Sequence, residues 1–146
     1  MDGAALESLG RSIGLFRELS EALPEPSLAL RLPAIRSNTL GAQLWCVVGA
    51  RESYARALAA GGWTGFACSL SGAGTLRKDE VRRALAESAR AIEAAAAGLA
   101  AFDPARSRLL LDLIEHEAAH QGQIIRYLYA LELPIPAGWR ARYALE

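Results

Sequence analysis

The placement of proline is the feature that most constrains how this chain can fold. All six prolines lie in three short regions, at 24–33, at 104 and at 134–136. Proline lacks the N–H that a helix needs and its ring clashes with the preceding turn, so long helices must lie between these regions. The intervals are rich in alanine and poor in β-branched residues, which favours helix over strand. The sequence therefore predicts an all-α fold.

Four helices are predicted, spanning about 4–23, 37–60, 78–99 and 104–131. Ser37 or Asn38 can cap the second helix and Gly61 can end it, while Thr75 or Asp79 can cap the third. Asp103 followed by Pro104 is typical of a helix start. We expect a four-helix bundle of up-down type, with a long, apolar-anchored loop between the second and third helices and a short tail. At 146 residues, residues 1–146 are predicted to form one domain.

Charge and hydropathy exclude several classes of function. Lys plus Arg equals Asp plus Glu at 16 each, so no broad basic surface is available for nucleic acid. The first ten residues lack the basic and apolar regions of a secretory signal, and the uncharged stretch at 37–50 is shorter than the roughly 20 residues of a membrane span. We expect a cytoplasmic protein that binds neither nucleic acid nor membrane, with Cys46 and Cys68 as reduced thiols.

The two histidines of the chain, His116 and His120, both lie in the segment EHEAAHQGQ. On a helix they are about 40° apart around the axis and one turn apart along it, so both imidazoles can bind one ion. An apolar stripe runs from Leu109 and Leu113 to Tyr127 and Leu131, and it passes through both histidines and Gln123. This pattern predicts that the histidines face the interior. Glu117 is expected to point to solvent, as are Arg51 and the other scattered arginines.

HEAAH also fits the H-E-x-x-H pattern of zinc proteases, in which Glu117 would be the general base. That interpretation needs a third ligand downstream, and the only acidic residues after His120 are Glu132 and Glu146. No predicted strand is present to hold a peptide substrate. We therefore disfavour the protease interpretation.

A longer pattern combines RSNTLGAQLWCVVGARESYARAL in the second helix with HEAAHQGQIIRYLYALELPIP in the fourth. It resembles the DinB/YfiT-like family of four-helix bundles over most of the chain from Ser37 onward. The resemblance implies a divalent metal, often zinc or nickel, bound by one histidine of the second helix and an H-x-x-x-H pair of the fourth. It assigns the pair to His116 and His120, with the ending at 120–123 as its most specific element. The position of the family's third histidine falls on Cys46.

A cysteine thiolate is a good zinc ligand, so Cys46, His116 and His120 are the predicted metal ligands. Gln43 lies one turn before Cys46 and is expected to orient a bound water. Asp112 is an alternative ligand or a partner that orients a histidine, and Gln123 is a further candidate for that orienting role. Each of these polar residues can equally be a simple neighbour of the site.

Three functional hypotheses follow. The first is a metal-dependent enzyme acting on a small molecule, either a hydrolase or a transferase that uses a small thiol, as the family resemblance implies. The second is a non-enzymatic bundle, a homodimer in which the substitution at Cys46 marks a vestigial metal site. The third is a metal-free enzyme in which His116 or His120 activates Cys46 as a nucleophile.

Overall fold

The computed structural model describes residues 2–146, and these form helices with no strand. The all-α prediction is confirmed. Five α-helices are present, of which the first four are long: α1 Asp2–Ala22, α2 Leu40–Ala60, α3 Lys78–Ala97, α4 Pro104–Ala130 and α5 Ala137–Tyr143. Two short 3-10 helices, Glu25–Ala29 and Gly74–Leu76, lie in the connections that precede α2 and α3.

The helix ends follow local chemistry. Asp103 caps α4 by accepting a hydrogen bond from the Arg106 N–H, with Pro104 in the first turn as predicted. Gly61 ends α2 with a φ of 79°, a left-handed conformation that glycine adopts without strain. The cap of α2 is Thr39, whose hydroxyl accepts from the Ala42 N–H, and not Ser37 or Asn38. Arg77 precedes α3 without a side-chain cap, so the prediction of Thr75 or Asp79 at that position is wrong.

Each long helix packs mainly against two others: α1 and α2 both pack against α3 and α4. Contacts along the interfaces give the helix directions. The start of α2 meets the later half of α4 at Gln43 and His120, so these helices are antiparallel. A Cβ on Gly41 would meet Thr75 just before α3, and Arg51 reaches Leu85 within it, so α2 and α3 are parallel.

The parallel arrangement of α2 and α3 differs from a strict up-down order. Residues 61–77 carry the chain back along α2, and α2 side chains hold this loop. The Trp45 indole donates to the Leu70 carbonyl at 2.9 Å, and the Ser53 hydroxyl accepts from the Ala67 N–H at 3.1 Å. The loop is also anchored by its apolar side chains: Leu70 is buried in the core, and Phe66 packs against Trp45 although it stays about half exposed.

The short α5 lies where the sequence predicts only a tail. Its Trp139 is fully buried, donates its indole N–H to the Leu15 carbonyl at 2.7 Å, and packs edge-to-face on Phe16. One buried aromatic side chain thus fixes this helix against α1.

The core consists of two apolar clusters separated along the helices by buried polar residues. One cluster contains Phe16, Leu44 and Ile124, and the other contains Leu9, Leu58 and Leu110. In sequence, Ser12, Ser88 and Glu117 each fall between members of the two clusters on α1, α3 and α4, and all three are buried. With Arg51 of α2 they form what we call the polar layer. The candidate site lies beside it.

Candidate metal site between α2 and α4

The two histidines converge on each other at the interface of α2 and α4. The Nε2 atoms of His116 and His120 are 3.2 Å apart, and the two rings are about half-buried. The opposite ring nitrogen of His120, Nδ1, lies 2.6 Å from Oε1 of Gln43 on α2. Both histidines therefore lie at the interface of α2 and α4, and Gln43 contacts His120 directly.

A chain of hydrogen bonds sets the protonation of His120. Gln43 Nε2 donates to Asn38 Oδ1 at 2.8 Å, which leaves Gln43 Oε1 as the acceptor that faces His120. With Gln43 in this orientation, His120 carries its proton on Nδ1 and presents the lone pair of Nε2 toward His116. Asn38 is held in turn by the Tyr127 hydroxyl, which donates to the Asn38 carbonyl at 2.6 Å. A histidine whose outer nitrogen donates to a fixed carbonyl is the usual arrangement of a metal ligand.

Burial also favours the neutral form of both imidazoles. Desolvation, reinforced by the neighbouring His116, lowers the pKa of His120 to about 4, although Glu117 acts in the opposite direction. Desolvation likewise lowers the pKa of His116, again opposed by Glu117. At neutral pH both rings are uncharged, and the neutral imidazole is the form that binds a metal ion.

The geometry of the pair fits a shared ion. Two nitrogens that each lie about 2.0 Å from a tetrahedral zinc are about 3.3 Å apart, close to the observed 3.2 Å. The Nδ1 atom of His116 is buried and has no hydrogen-bond partner within residues 2–146. An unsatisfied buried polar atom costs about 1–3 kcal/mol, and such atoms are concentrated where a ligand or a function maintains them.

The third predicted ligand, Cys46, lies on α2 three residues after Gln43. Within residues 2–146 no group of three or more His, Cys, Asp or Glu side chains is placed to hold a metal. Cys46 is half-buried, and burial raises the pKa of its thiol, which disfavours the thiolate that a ligand or nucleophile needs. The structure therefore assembles the donors of His116 and His120 with Gln43, and Cys46 remains a predicted ligand.

The other two predicted orienting residues lie elsewhere. Asp112 is on the helix surface, where its carboxylate is 3.3 Å from Arg108 of the same helix. Gln123 is exposed, so the apolar stripe does not pass through it as predicted. The inward face of α4 instead contains Leu110, Leu113, Glu117, Gln121, Ile124 and Leu128. The three- and four-residue spacing of these positions is present in the sequence, but Glu117 and Gln121 interrupt its apolar pattern.

The expectations for Glu117 and Arg51 are wrong. Both side chains are buried, at 0% and 1% exposure, and they form a two-pronged ion pair with N···O distances of 2.5 and 3.2 Å. The Ser12 hydroxyl also donates to Glu117, and Gln121 donates to Ser12 at 2.6 Å. A carboxylate held by these donors is not free to act as a general base, which further disfavours the protease interpretation.

Comparison with known proteins gives no family assignment. The chain matches no protein-family model, no curated protein and no solved structure. Among the helices of residues 2–146, none is both long enough and apolar enough to cross a membrane.

Proposed function

We propose that this chain is a DinB/YfiT-like four-helix bundle that binds a divalent ion, zinc or nickel, through Nε2 of His116 and His120. The observation that carries this proposal is the 3.2 Å separation of the two Nε2 atoms, together with the contact of His120 Nδ1 with Gln43. Imidazole ligands suit zinc and nickel better than magnesium or calcium. The proposal retains Cys46 as the third ligand, in the place of the family's histidine.

The proposed activity is that of a cytoplasmic hydrolase or small-thiol-dependent transferase acting on a small molecule. A bound zinc or nickel ion would supply Lewis acidity, which lowers the pKa of a coordinated water or thiol. The contributions of the chain are to keep both imidazoles neutral by burial and to fix the His120 ring through Gln43 and Asn38. Two protein nitrogens leave further coordination positions for Cys46, water or substrate.

The test is metal analysis of protein purified without a metal-affinity tag, followed by zinc and nickel titration. We expect about one ion per chain, lost in the His116→Ala/His120→Ala double variant and retained in Gln123→Ala, which alters an exposed residue on the same helix. Cys46→Ser distinguishes the ligand sets: a large loss of affinity supports the thiolate ligand, and unchanged affinity limits the protein ligands to the histidine pair. Absence of metal in the unaltered protein, even after incubation with either ion, would refute the proposal.

A second candidate function is a non-enzymatic homodimer with a vestigial site. It is favoured by the lack of a three-ligand group in the described residues and by the exposure of Trp63 and Phe66, at 52% and 47%, on one loop. Exposed aromatic side chains of this kind are enriched at protein interfaces. Light scattering coupled to gel filtration separates the two candidate functions. If the metal-free protein is a dimer and Trp63→Ser/Phe66→Ser converts it to a monomer, the result supports the second candidate.

A further inference from the structure

A cleft lies between α1 and α3, and neither histidine lines it. Its volume is about 550 Å³, within the range of about 300–1,000 Å³ that is typical of small-molecule sites. Part of its wall is apolar and is formed by Ile13, Leu85, Ala86 and Ala89. The cleft therefore has room for a small molecule with an apolar body.

The charged residues of the cleft are mainly cationic. Five arginines line it against three carboxylates: Arg17, Arg51, Arg82, Arg83 and Arg90 against Glu21, Asp79 and Glu93. Arg82 lies 3.9 Å from Glu21, and Asp79 lies 3.8 Å from Arg77, which is outside the lining. No ion-pair partner is present for Arg17, Arg83 or Arg90 anywhere in the described chain. Within residues 2–146, Glu93 of the lining also has no ion-pair partner, so the rim carries a small excess of positive charge and three guanidinium groups outside any ion pair.

Arg51 provides a buried donor at the inner end of the cleft. Its Nε and Nη2 atoms donate to Glu117, and its Nη1 donates to the Leu85 carbonyl at 3.3 Å. A guanidinium has five N–H groups, so one on Nη1 and one on Nη2 are not used by these bonds. Hydrogen bonds from a buried guanidinium to an anion are strengthened by the low local dielectric.

We propose that this cleft binds a small molecule that has an apolar body and an oxyanion group, either phosphate or carboxylate. The remaining N–H groups of Arg51 and the rim guanidinium groups of Arg83 and Arg90 bind the oxyanion, and the wall at Ile13 and Ala89 contacts the apolar part. Arginine is suited to this role because its planar fork matches both kinds of oxyanion. The site is separate from the histidine pair and does not depend on metal.

The test is a titration of metal-free protein, prepared with a chelator, with phenyl phosphate, followed by calorimetry and by ¹⁵N NMR. We expect saturable binding that weakens with added salt, with shifted resonances in residues 13–21 and 82–93. Arg83→Gln/Arg90→Gln removes two of the proposed guanidinium contacts and should raise the Kd by at least about tenfold, the effect of losing even one charge-assisted hydrogen bond. Arg36→Gln/Arg140→Gln removes the same charge from exposed positions outside the cleft and should change the Kd less than twofold.

Parallel titrations with benzoate and phenol identify the recognised group. If only phenyl phosphate binds, the cleft recognises a phosphate group. If benzoate binds as well, the cleft recognises oxyanions in general. Binding of phenol with equal affinity would overturn the proposal. The proposal would also be overturned if phenyl phosphate showed no saturable binding, if the two double variants lost equal affinity, or if the shifted NMR resonances were confined to other helices. Because all four altered arginines are exposed, circular dichroism should show unchanged helix content in both variants.

Discussion

Replacing Glu117 with glutamine tests whether the polar layer depends on a charged pair. The substitution keeps the size of the side chain but removes the charge that faces Arg51, which is 1% exposed. Removing one partner from a buried ion pair costs about 3–5 kcal/mol because the remaining charge is uncompensated. Since a domain is stable by only about 5–15 kcal/mol, Glu117→Gln should lose a large part of the free energy of unfolding and lower the Tm by about 10 °C.

Urea unfolding followed by circular dichroism measures this loss, and two comparisons isolate its cause. Arg51→Met/Glu117→Leu removes both charges and should be far less destabilising than Glu117→Gln, since an apolar pair can replace a buried ion pair at little cost. Asp112→Asn breaks the exposed pair with Arg108 and should cost less than about 1 kcal/mol. A loss below about 1 kcal/mol for Glu117→Gln, or an equal loss in the double variant, would refute the reasoning.

Three further predictions concern the histidine pair and the helix packing. Gln43→Ala should weaken zinc binding by about 10–100-fold in a chelator competition, because the His120 ring loses its fixed acceptor; unchanged affinity would contradict the orienting role. His120 has a pKa of about 4 in the folded protein and about 6.5 when unfolded, so the unfolded chain binds the proton first. The free energy of unfolding of the metal-free protein should therefore fall by about 1–2 kcal/mol, allowing for partial exposure of the ring, as the pH falls from about 6.5 to 4. The His120→Gln variant should lack this pH-dependent loss in urea titrations. A Cβ on Gly41 would lie 2.4 Å from the Thr75 carbonyl oxygen, so Gly41→Ala should destabilise by about 1–3 kcal/mol. Gly122 lies in open space on α4, so Gly122→Ala should stabilise the protein by about 0.5–1 kcal/mol. Equal effects of the two substitutions would contradict the close packing of Gly41 against Thr75.

Helix positions were predictable because helix ends are determined locally. Asp103 with Pro104, and Gly61, mark their termini through hydrogen bonds and backbone angles that involve only nearby residues. The direction of α3 relative to α2 was not predictable in this way. It depends on contacts such as Trp45 with Leu70, which are 25 residues apart and only exist once the loop has folded along α2.

The sequence predicts the histidine pair, but it predicts that Gln43 orients a bound water and not that it contacts His120. Spacing on one helix places His116 and His120 together, so their convergence follows from local geometry. The contact of Gln43 with His120 depends on how α2 lies against α4, which the sequence does not specify. The same limitation affects Glu117: a buried carboxylate is disfavoured until its partner is known, and Arg51 is 66 residues away.

The buried ion pair also explains how the candidate site keeps its geometry. Arg51–Glu117 and Gln43–His120 are two links between the same helices, α2 and α4. Sliding α2 along α4 by one turn would separate both pairs and leave two charges buried without partners, which costs several kcal/mol. The Gln43–His120 hydrogen bond alone contributes too little to prevent that movement. The ion pair in the polar layer therefore helps to hold the position of α2 along α4, as does the hydrogen bond from Arg106 to the Leu58 carbonyl. Gln43 faces His120 because that position is held.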